Sequence, residues 1–266
     1  MEFLLCPVCN EKLEKMGQCL KCGKGHSFDI ARQGHVNLLT VDRKHSLHPG
    51  DTRQQVAARK AFLDAGHYEP IAAALREILS VYPLQTLLDV GCGEGYYLTA
   101  AAPLGCRCWG IDISKDAVRY AAVRNKDAFW VVGTASHLPF ADGSFDCLLS
   151  MFALTEAAEF ARVMRPGGVF VQVTAHPEHL MGLKRIIYPE IIRKDKELQP
   201  EYPGFLLEET RQLSFDFTVS GGEMVQNLLS MTPHFWRIGK EGAARLAAAQ
   251  ELTDTARVIF RIYRKE

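Results

Sequence analysis

Four cysteines crowd the start of the chain, as Cys6-Pro7-Val8-Cys9 and Cys19-Leu20-Lys21-Cys22. Two C-x-x-C pairs on tight turns can meet at one tetrahedral ion, and zinc is the usual ion for such thiolates. So short a segment cannot build a core unaided, and metal binding would supply the missing folding energy. The ligand set stays open. Cys6, Cys9, Cys19 and Cys22 form one complete set, while Cys22-Gly23-Lys24-Gly25-His26 offers a C-x3-H pair that leaves Cys19 spare. Ligand chemistry by itself leans to four thiolates. Disulfides are the competing explanation, disfavoured in a reducing compartment. Cys92, Cys106, Cys108 and Cys147 lie in apolar, strand-like surroundings and are expected to be reduced core residues.

A second chemical feature is Leu87-Leu88-Asp89-Val90-Gly91-Cys92-Gly93-Glu94-Gly95-Tyr96, an apolar run entering a glycine-rich turn. Gly91, Gly93 and Gly95 allow a sharp turn and let a ligand approach without Cβ clashes. The G-x-G-x-G spacing departs from the G-x-G-x-x-G pyrophosphate fingerprint of dinucleotide folds. Asp89, two residues before the first glycine, could hold a ligand amino group, and Glu94 joins the candidate ligand-contact set. Further on, Trp109-Gly110-Ile111 ends in Asp112. An ionised acid at a strand end carries only acceptors and suits a ribose diol. Helix capping is the competing role, and Ser114 would fill it at least as well.

These residues need a scaffold. The pattern predicts helices over Gln54–Leu63, Ile71–Val81, Tyr96–Ala102, Lys115–Arg124 and Glu156–Met164. It predicts strands over Thr86–Val90, Cys106–Ile111, Ala128–Val132, Phe145–Met151 and Gly168–Thr174. Alternating strands and helices mark an α/β protein with an open parallel sheet and right-handed crossovers. Beyond His176 the pattern loosens, then closes on Ala256–Tyr263 as a final antiparallel strand. Three regions follow: a Cys-rich module over 1–38, a basic linker and helix over 39–66, and the α/β domain over 67–266.

Net charge is zero, so bulk electrostatics make no case for a nucleic-acid partner. The distribution is less even: residues 1–60 hold ten Lys/Arg against six Asp/Glu, and the remainder 21 against 25. The start lacks a basic n-region with a long apolar run, and no apolar stretch of about eighteen residues follows. The expected location is the cytoplasm.

Two further segments complete a pattern: Gly133-Thr134-Ala135-Ser136-His137-Leu138-Pro139-Phe140 and Arg162-Val163-Met164-Arg165-Pro166-Gly167-Gly168. With the glycine loop and Asp112, they resemble the class I methyltransferase superfamily over roughly residues 70–180. That resemblance implies a Rossmann-like, mostly parallel seven-stranded sheet that binds S-adenosylmethionine. Asp89 would then face the methionine amino group and Asp112 the ribose. Thr134 stands where the superfamily commonly has an acid for the adenine amino group. Adenine would instead be held by backbone groups around Ala135 and Ser136, with apolar packing from Ile113.

Other segments are more specific. Cys6-Pro7-Val8-Cys9, Cys22 through His26-Ser27-Phe28-Asp29, Gly34-His35-Val36-Asn37-Leu38-Leu39, Pro49-Gly50-Asp51, Arg59 through Tyr68, His179-Leu180-Met181 and Met231-Thr232-Pro233 with Trp236 run nearly the length of the chain. They resemble the bacterial 23S ribosomal RNA guanine-N1 methyltransferases. The resemblance implies a zinc set of Cys6, Cys9, Cys22 and His26, and cofactor contacts from Tyr68 and His179. It implies a homodimer with a composite RNA cleft. The zinc module and the basic segment beyond it would hold the RNA, with Arg32, Arg43, Lys44, Arg59 and Lys60 as phosphate contacts. Phe62 could stack on a base or serve the core. The general base that takes the guanine N1 proton is not assigned; Glu156, after the fourth strand, competes with a plain surface role. Two other functions stand beside this one: a methyltransferase of small metabolites, and a non-catalytic RNA-binding protein on the same scaffold. The intact Asp89, Gly91, Gly93, Gly95 and Asp112 speak against the second.

Overall fold

The computed structural model describes residues 3–43, 50–191 and 200–266. Near the N-terminus, β1 (Glu14–Met16), β2 (Cys19–Lys21) and β3 (Ser27–Asp29) form a three-stranded antiparallel sheet. Gly17, at φ +63°, makes the turn between β1 and β2. These strands are short and mostly exposed, and Leu20 is the buried residue at the centre of β2. Such a ribbon has little core of its own.

The rest of the chain alternates helices and strands. Helix α1 (Arg53–Asp64) opens on a capping box, in which the Thr52 side chain accepts from the Gln55 N–H and Gln55 returns to the Thr52 N–H. Then follow α2 (Glu69–Ser80), β5 (Thr86–Val90), α3 (Tyr96–Ala101), β6 (Arg107–Asp112), α4 (Lys115–Arg124), β7 (Phe129–Val132), β8 (Phe145–Met151), α5 (Ala157–Val163) and β9 (Met164–Ala175). The last elements are α6 (Met181–Ile187), β10 (Phe205–Ser220), α7 (Gly222–Ser230), α8 (Lys240–Ala248) and β11 (Glu251–Lys265). Every residue of β5 is buried, as expected of a central strand covered on both faces.

One large sheet has the order β10-β11-β9-β8-β5-β6-β7-β4, where β4 is Val36–Asn37. Strand β5 pairs parallel with β6 on one side and β8 on the other. The chain order therefore reverses at β5, and the crevice for a ligand opens at its carboxyl end. Strand β11 runs antiparallel between β9 and β10.

Among the described residues the sheet has eight strands rather than the expected seven. The extra one, β4, comes from the N-terminal segment and pairs parallel with β7. The loosened pattern after His176 hides α6, α7, α8 and the sixteen-residue β10. That strand lies at the sheet edge with few buried residues, so no apolar run announces it. Strand β11 also starts earlier than the apolar pattern predicts, at Glu251.

The ribbon is packed onto the sheet. Phe3 lies 5.3 Å from Trp109, the Leu5 N–H donates to Pro139 O at 2.9 Å, and Ala141 N–H donates to Phe3 O at 2.9 Å. Leu4, Leu20 and Val36 join one hydrophobic cluster with Leu88, Trp109 and Phe145. Phe62 is fully buried, edge-on to Tyr68 at 4.9 Å, which gives it a core role.

Gly95 is a steric requirement of this packing. It sits at φ +81° as the N-cap of α3, and a Cβ there would lie 2.6 Å from Trp130 and 2.9 Å from the Ala121 Cβ. Gly95→Ala is expected to destabilise the fold by about 2–3 kcal/mol through left-handed strain and overpacking. Thermal melting should fall by roughly 5 °C or more; an unchanged midpoint would refute the steric account.

Candidate cofactor cleft and metal centre

The glycine turn follows β5 at the point of reversal. Gly91 has φ +76°, and a Cβ on it would fall 2.5 Å from the Ala153 Cβ, so the turn and the segment after β8 lie in direct contact. The N–H groups of Gly91 and Cys92 donate to Ile111 O at 2.8 and 3.1 Å. Gly93 N–H donates to Asp112 Oδ2 at 2.9 Å, and Ser114 N–H donates to Asp112 Oδ1 at 2.8 Å. Ser114 in turn accepts from Ala117 N–H at 3.3 Å and caps α4. Asp112 is therefore an anchor for two loops, and each of its oxygens keeps a lone pair for a further donor.

Asp89 is different. It is buried, and among the described residues neither carboxylate oxygen has a hydrogen-bond partner. Burial, followed by the nearby charges of Asp112 and Glu94, pushes its carboxyl up to about 8. A buried acid without a donor is costly. Its position beneath the turn fits a cationic ligand group such as an ammonium. Glu94 is buried too, but it faces Arg124: Nη2 lies 3.5 Å from its Oε1, and Nε donates to its backbone O at 3.1 Å. Arg124 also pairs with Asp64 at 2.7 Å, which fastens α1 to α4.

Across the crevice, Tyr68 Oη and His179 Nε2 are 3.2 Å apart. Arg257 N–H donates to His179 Nδ1 at 3.1 Å, so the neutral ring carries its proton on Nε2 and donates it to Tyr68. That leaves the Tyr68 O–H as a donor for a further acceptor. Burial, then the charge of Asp254, holds this phenol far above its ordinary pKa, so it stays neutral. Asp254 also accepts from the Gly182 and Leu183 N–H groups at 2.9 and 2.7 Å, fixing the start of α6 beside His179. Phe152 stands at the same end, at φ +57° and 41% exposed, with its ring 6.2 Å from Tyr97 and 6.4 Å from His179. A left-handed aromatic residue costs about 1–2 kcal/mol. Such strain tends to gather at functional sites. Glu156 is the N-cap of α5 and makes no side-chain cap bond.

At the other end of the crevice, Ala135 and Ser136 lie in a single 3-10 turn after β7, with Thr134 Oγ1 accepting from Ser136 N–H at 3.3 Å. Ile113 packs close to Gly50, where an added Cβ would come within 2.8 Å of it. The linker thus reaches the end of β6. Ser114 Oγ donates to Asp51 O at 2.9 Å.

In the N-terminal ribbon, the ligand atoms of Cys6, Cys9, Cys22 and His26 lie within 4.8 Å of one another. Cys9 and Cys22 sulfurs are 3.7 Å apart, and His26 Nδ1 is 3.5 Å from Cys6 Sγ and 3.3 Å from Cys22 Sγ. A zinc tetrahedron with Zn–S bonds of about 2.3 Å sets neighbouring sulfurs roughly 3.8 Å apart, with nitrogen slightly closer. The group fits zinc. Cys19 does not belong to it, and its thiol donates to Met16 O at 3.2 Å. The leaning to four thiolates is thereby corrected. Cys19 lies in β2 while the loop after Cys22 folds back, with Cys22 N–H donating to His26 O at 3.1 Å. Cys92, Cys108 and Cys147 are buried and Cys106 is half-buried, all as free thiols.

The basic residues scatter. Arg32 is exposed and Arg43 half-buried, both in the N-terminal segment. Lys60 pairs with Asp64 on its own helix. Arg59 pairs with Asp51 and faces Gly93, so its surroundings are the glycine turn rather than open surface. Lys44 lies outside the described residues. The sequence motifs did not show Arg59 at the turn, because that depends on how α1 docks. The exposed Phe152 was missed as well; its place directly after the fourth strand of the α/β pattern was the available signal.

A central sheet with this reversal, a glycine turn over an unpartnered acid, and a second acid ending the next strand define a class I, S-adenosylmethionine-dependent methyltransferase. Known proteins agree. A profile described as "Methyltransferase domain" matches residues 88–172, and one described as "RlmA, N-terminal", a zinc ribbon, matches residues 4–47. The 23S rRNA (guanine(748)-N(1))-methyltransferase of Streptomyces fradiae is 32% identical, over 93% of this chain and 91% of its own length. A relative from Micromonospora griseorubida, designated a candidate 23S rRNA (guanine-N1)-methyltransferase, is 38% identical over 69% of each chain. A methyltransferase structure from Anaeromyxobacter dehalogenans shares the fold, with a TM-score of 0.52 and 21% identity over 73% of this chain and 95% of its own. The chain belongs to the bacterial 23S rRNA guanine-N1 methyltransferase family with an N-terminal zinc ribbon. Among the described residues, no helix is long and apolar enough to cross a membrane.

The raised carboxyl of Asp89 has a pH signature. In an unfolded chain the group titrates near 4, against about 8 when folded. Between these values the folded state holds the extra proton, so the group's contribution to stability falls as pH rises, and below about pH 4 it contributes nothing. In the ligand-free protein, Asp89→Asn should melt progressively higher than the parent as pH goes from about 4 to 8, while binding S-adenosylmethionine more weakly. A melting difference that is flat across this range would remove the buried-charge account.

The metal set has its own test. Zinc analysis should find one ion per chain in the parent and in Cys19→Ser, and none in Cys9→Ser or His26→Ala. Loss of zinc from Cys19→Ser with retention in His26→Ala would restore the four-cysteine set.

Proposed function

We propose that this chain transfers the methyl group of S-adenosylmethionine to N1 of a guanine in a hairpin of 23S ribosomal RNA. The observation that carries this is the pairing of two sites in one chain. The unpartnered Asp89 lies beneath the glycine turn, and the Cys6, Cys9, Cys22 and His26 cluster sits in a ribbon packed on the same sheet.

When bound, S-adenosylmethionine supplies an electrophilic methyl group on a cationic sulfur. Asp89 holds the methionine ammonium, and the contact relieves its own burial. Asp112 accepts from the ribose hydroxyls with the lone pairs that Gly93 and Ser114 leave. Backbone groups at Ala135 and Ser136 hold the adenine edge, with Ile113 against its face. Tyr68 donates its O–H toward the amino-acid end, and His179 keeps that phenol oriented. Gly91 and Gly93 let the backbone approach the ligand.

Guanine N1 carries a proton in its usual tautomer and is a poor nucleophile until that proton leaves. The residues around the carboxyl end of β8 must hold the base edge in line with the methyl group and let the proton depart. The zinc-held ribbon, with Arg32 and Arg43, engages the RNA backbone. A homodimer presenting a composite cleft belongs to the same proposal.

Mass mapping of 23S ribosomal RNA from cells with and without the gene tests this directly. The expected result is one guanine that carries a base methyl group only when the chain is present, and that blocks reverse transcription as an altered Watson–Crick edge must. RNA that is identical in the two cells, together with methyl transfer to a small acceptor by the purified chain, would turn the assignment toward a metabolite methyltransferase.

A further inference from the structure

Arg59 is one of the charged residues of α1, and its position is unlike that of a surface cation. Its Nη1 lies 3.9 Å from where a Cβ on Gly93 would stand. The same atom is paired with Asp51 Oδ2, and the side chain is about one-quarter exposed, at 26%. Asp51 is itself fixed to the crevice, because its carbonyl accepts from Ser114 Oγ, two residues beyond Asp112. Gly50 just before it is pressed on Ile113 and Ser114. The guanidinium therefore hangs over the glycine turn on a short, anchored arm.

The charges around the turn are unbalanced. Asp89 and Glu94 are buried there and Asp112 is half-buried, and each is held above its ordinary pKa chiefly by desolvation. Arg124 is committed to Glu94 and Asp64. Arg59 is the other cation whose charge acts on both Asp112 and Glu94. Among the described residues, one of its five N–H donors is engaged, by Asp51. S-adenosylmethionine carries two cationic groups, the sulfonium and the ammonium, and a single anionic one, its carboxylate. The one charge-complementary partner this ligand offers an arginine at the turn is that carboxylate, whose two oxygens match the guanidinium fork.

We propose that Arg59 is a binding residue of the methyl-donor site, taking the donor's carboxylate while Asp51 holds the guanidinium over Gly93. The assignment rests on the functional reading above and sharpens it. It also removes Arg59 from the phosphate contacts of the RNA surface. The amino-acid end of the donor is then gripped from two sides, with Asp89 below for the ammonium and Arg59 above for the carboxylate.

The test is a cycle of two proteins and two ligands, using the full zinc-loaded chain and calorimetry. The ligands are S-adenosylmethionine and its decarboxylated analogue, which lacks only the proposed partner of Arg59. The parent should prefer the intact donor by roughly 10- to 100-fold, the worth of a charged hydrogen-bonded contact. Arg59→Ala should lose that factor for S-adenosylmethionine, yet bind the decarboxylated analogue as well as the parent or better, since a like charge has gone. Retained binding of the analogue also shows that the variant is folded. Arg59→Lys should recover part of the preference. Equal weakening toward both ligands would make Arg59 a support of the loop and overturn the assignment. So would unchanged donor affinity with weaker RNA binding and a shallower salt dependence, the mark of a phosphate contact. A parent that binds neither ligand would overturn the functional reading and this assignment together, and that outcome is distinct from a variant that behaves like a binding-competent parent.

Discussion

The carboxylate of Asp112 joins the two loops on which the cleft depends. It accepts from Gly93 on one side and from Ser114 on the other. The glycine turn after β5 and the start of α4 after β6 are thus held to one group at the sheet's point of reversal. Ser114 extends this network by capping α4 and by donating to the Asp51 carbonyl. Helix α1 enters from there, on the Thr52 and Gln55 capping box. One half-buried acid therefore sets the relative positions of the turn, the helix after β6 and the start of α1.

This arrangement keeps unfavourable features in place at the cleft. Asp89 is buried without a donor among the described residues, and Phe152 and Leu180 are held at φ +57°. Left-handed backbone and an unpartnered buried polar group each oppose folding by a kcal/mol or more, in round terms about 1–3. They persist because the surrounding elements fix them. Phe152 N–H donates to Val173 O at 2.8 Å, and Leu180 N–H donates to Thr255 O at 3.1 Å. A site poised in this way is matched to a cationic ligand group, which would give Asp89 its counter-charge.

The N-terminal ribbon is small, yet it is not an independent appendage. Its apolar residues complete the face of the sheet that carries Leu88, Trp109 and Phe145, and β4 extends the sheet beyond β7. Zinc held by Cys6, Cys9, Cys22 and His26 would order a segment whose own strands are two or three residues long. The shared core then holds that ordered segment against the edge of the sheet next to the Ala135–His137 turn. Ribbon and sheet are joined through this packing.

The central strands β5, β6, β7 and β8 were legible because buried parallel strands are short apolar runs, and the glycine turn was legible because its spacing is local. The same holds for Asp89 and Asp112, which sit at strand ends where a ligand must be met. The sequence by itself also determined the chemistry of the N-terminal ribbon, since C-x-x-C pairs in so short a segment have few other uses. Tertiary structure decided what depends on side chains meeting from distant segments. It excluded Cys19 from the metal cluster, because β2 turns that thiol toward Met16 while the next loop brings His26 back. It placed β11 so that Arg257 orients His179, and it hid β10 from any apolar pattern by leaving it at an edge. It also turned Arg59 from an apparent surface charge into a neighbour of Gly93. Residue type and spacing name a group's chemistry, but which partner that group meets is set by how helices and loops dock, and docking is a property of the whole core.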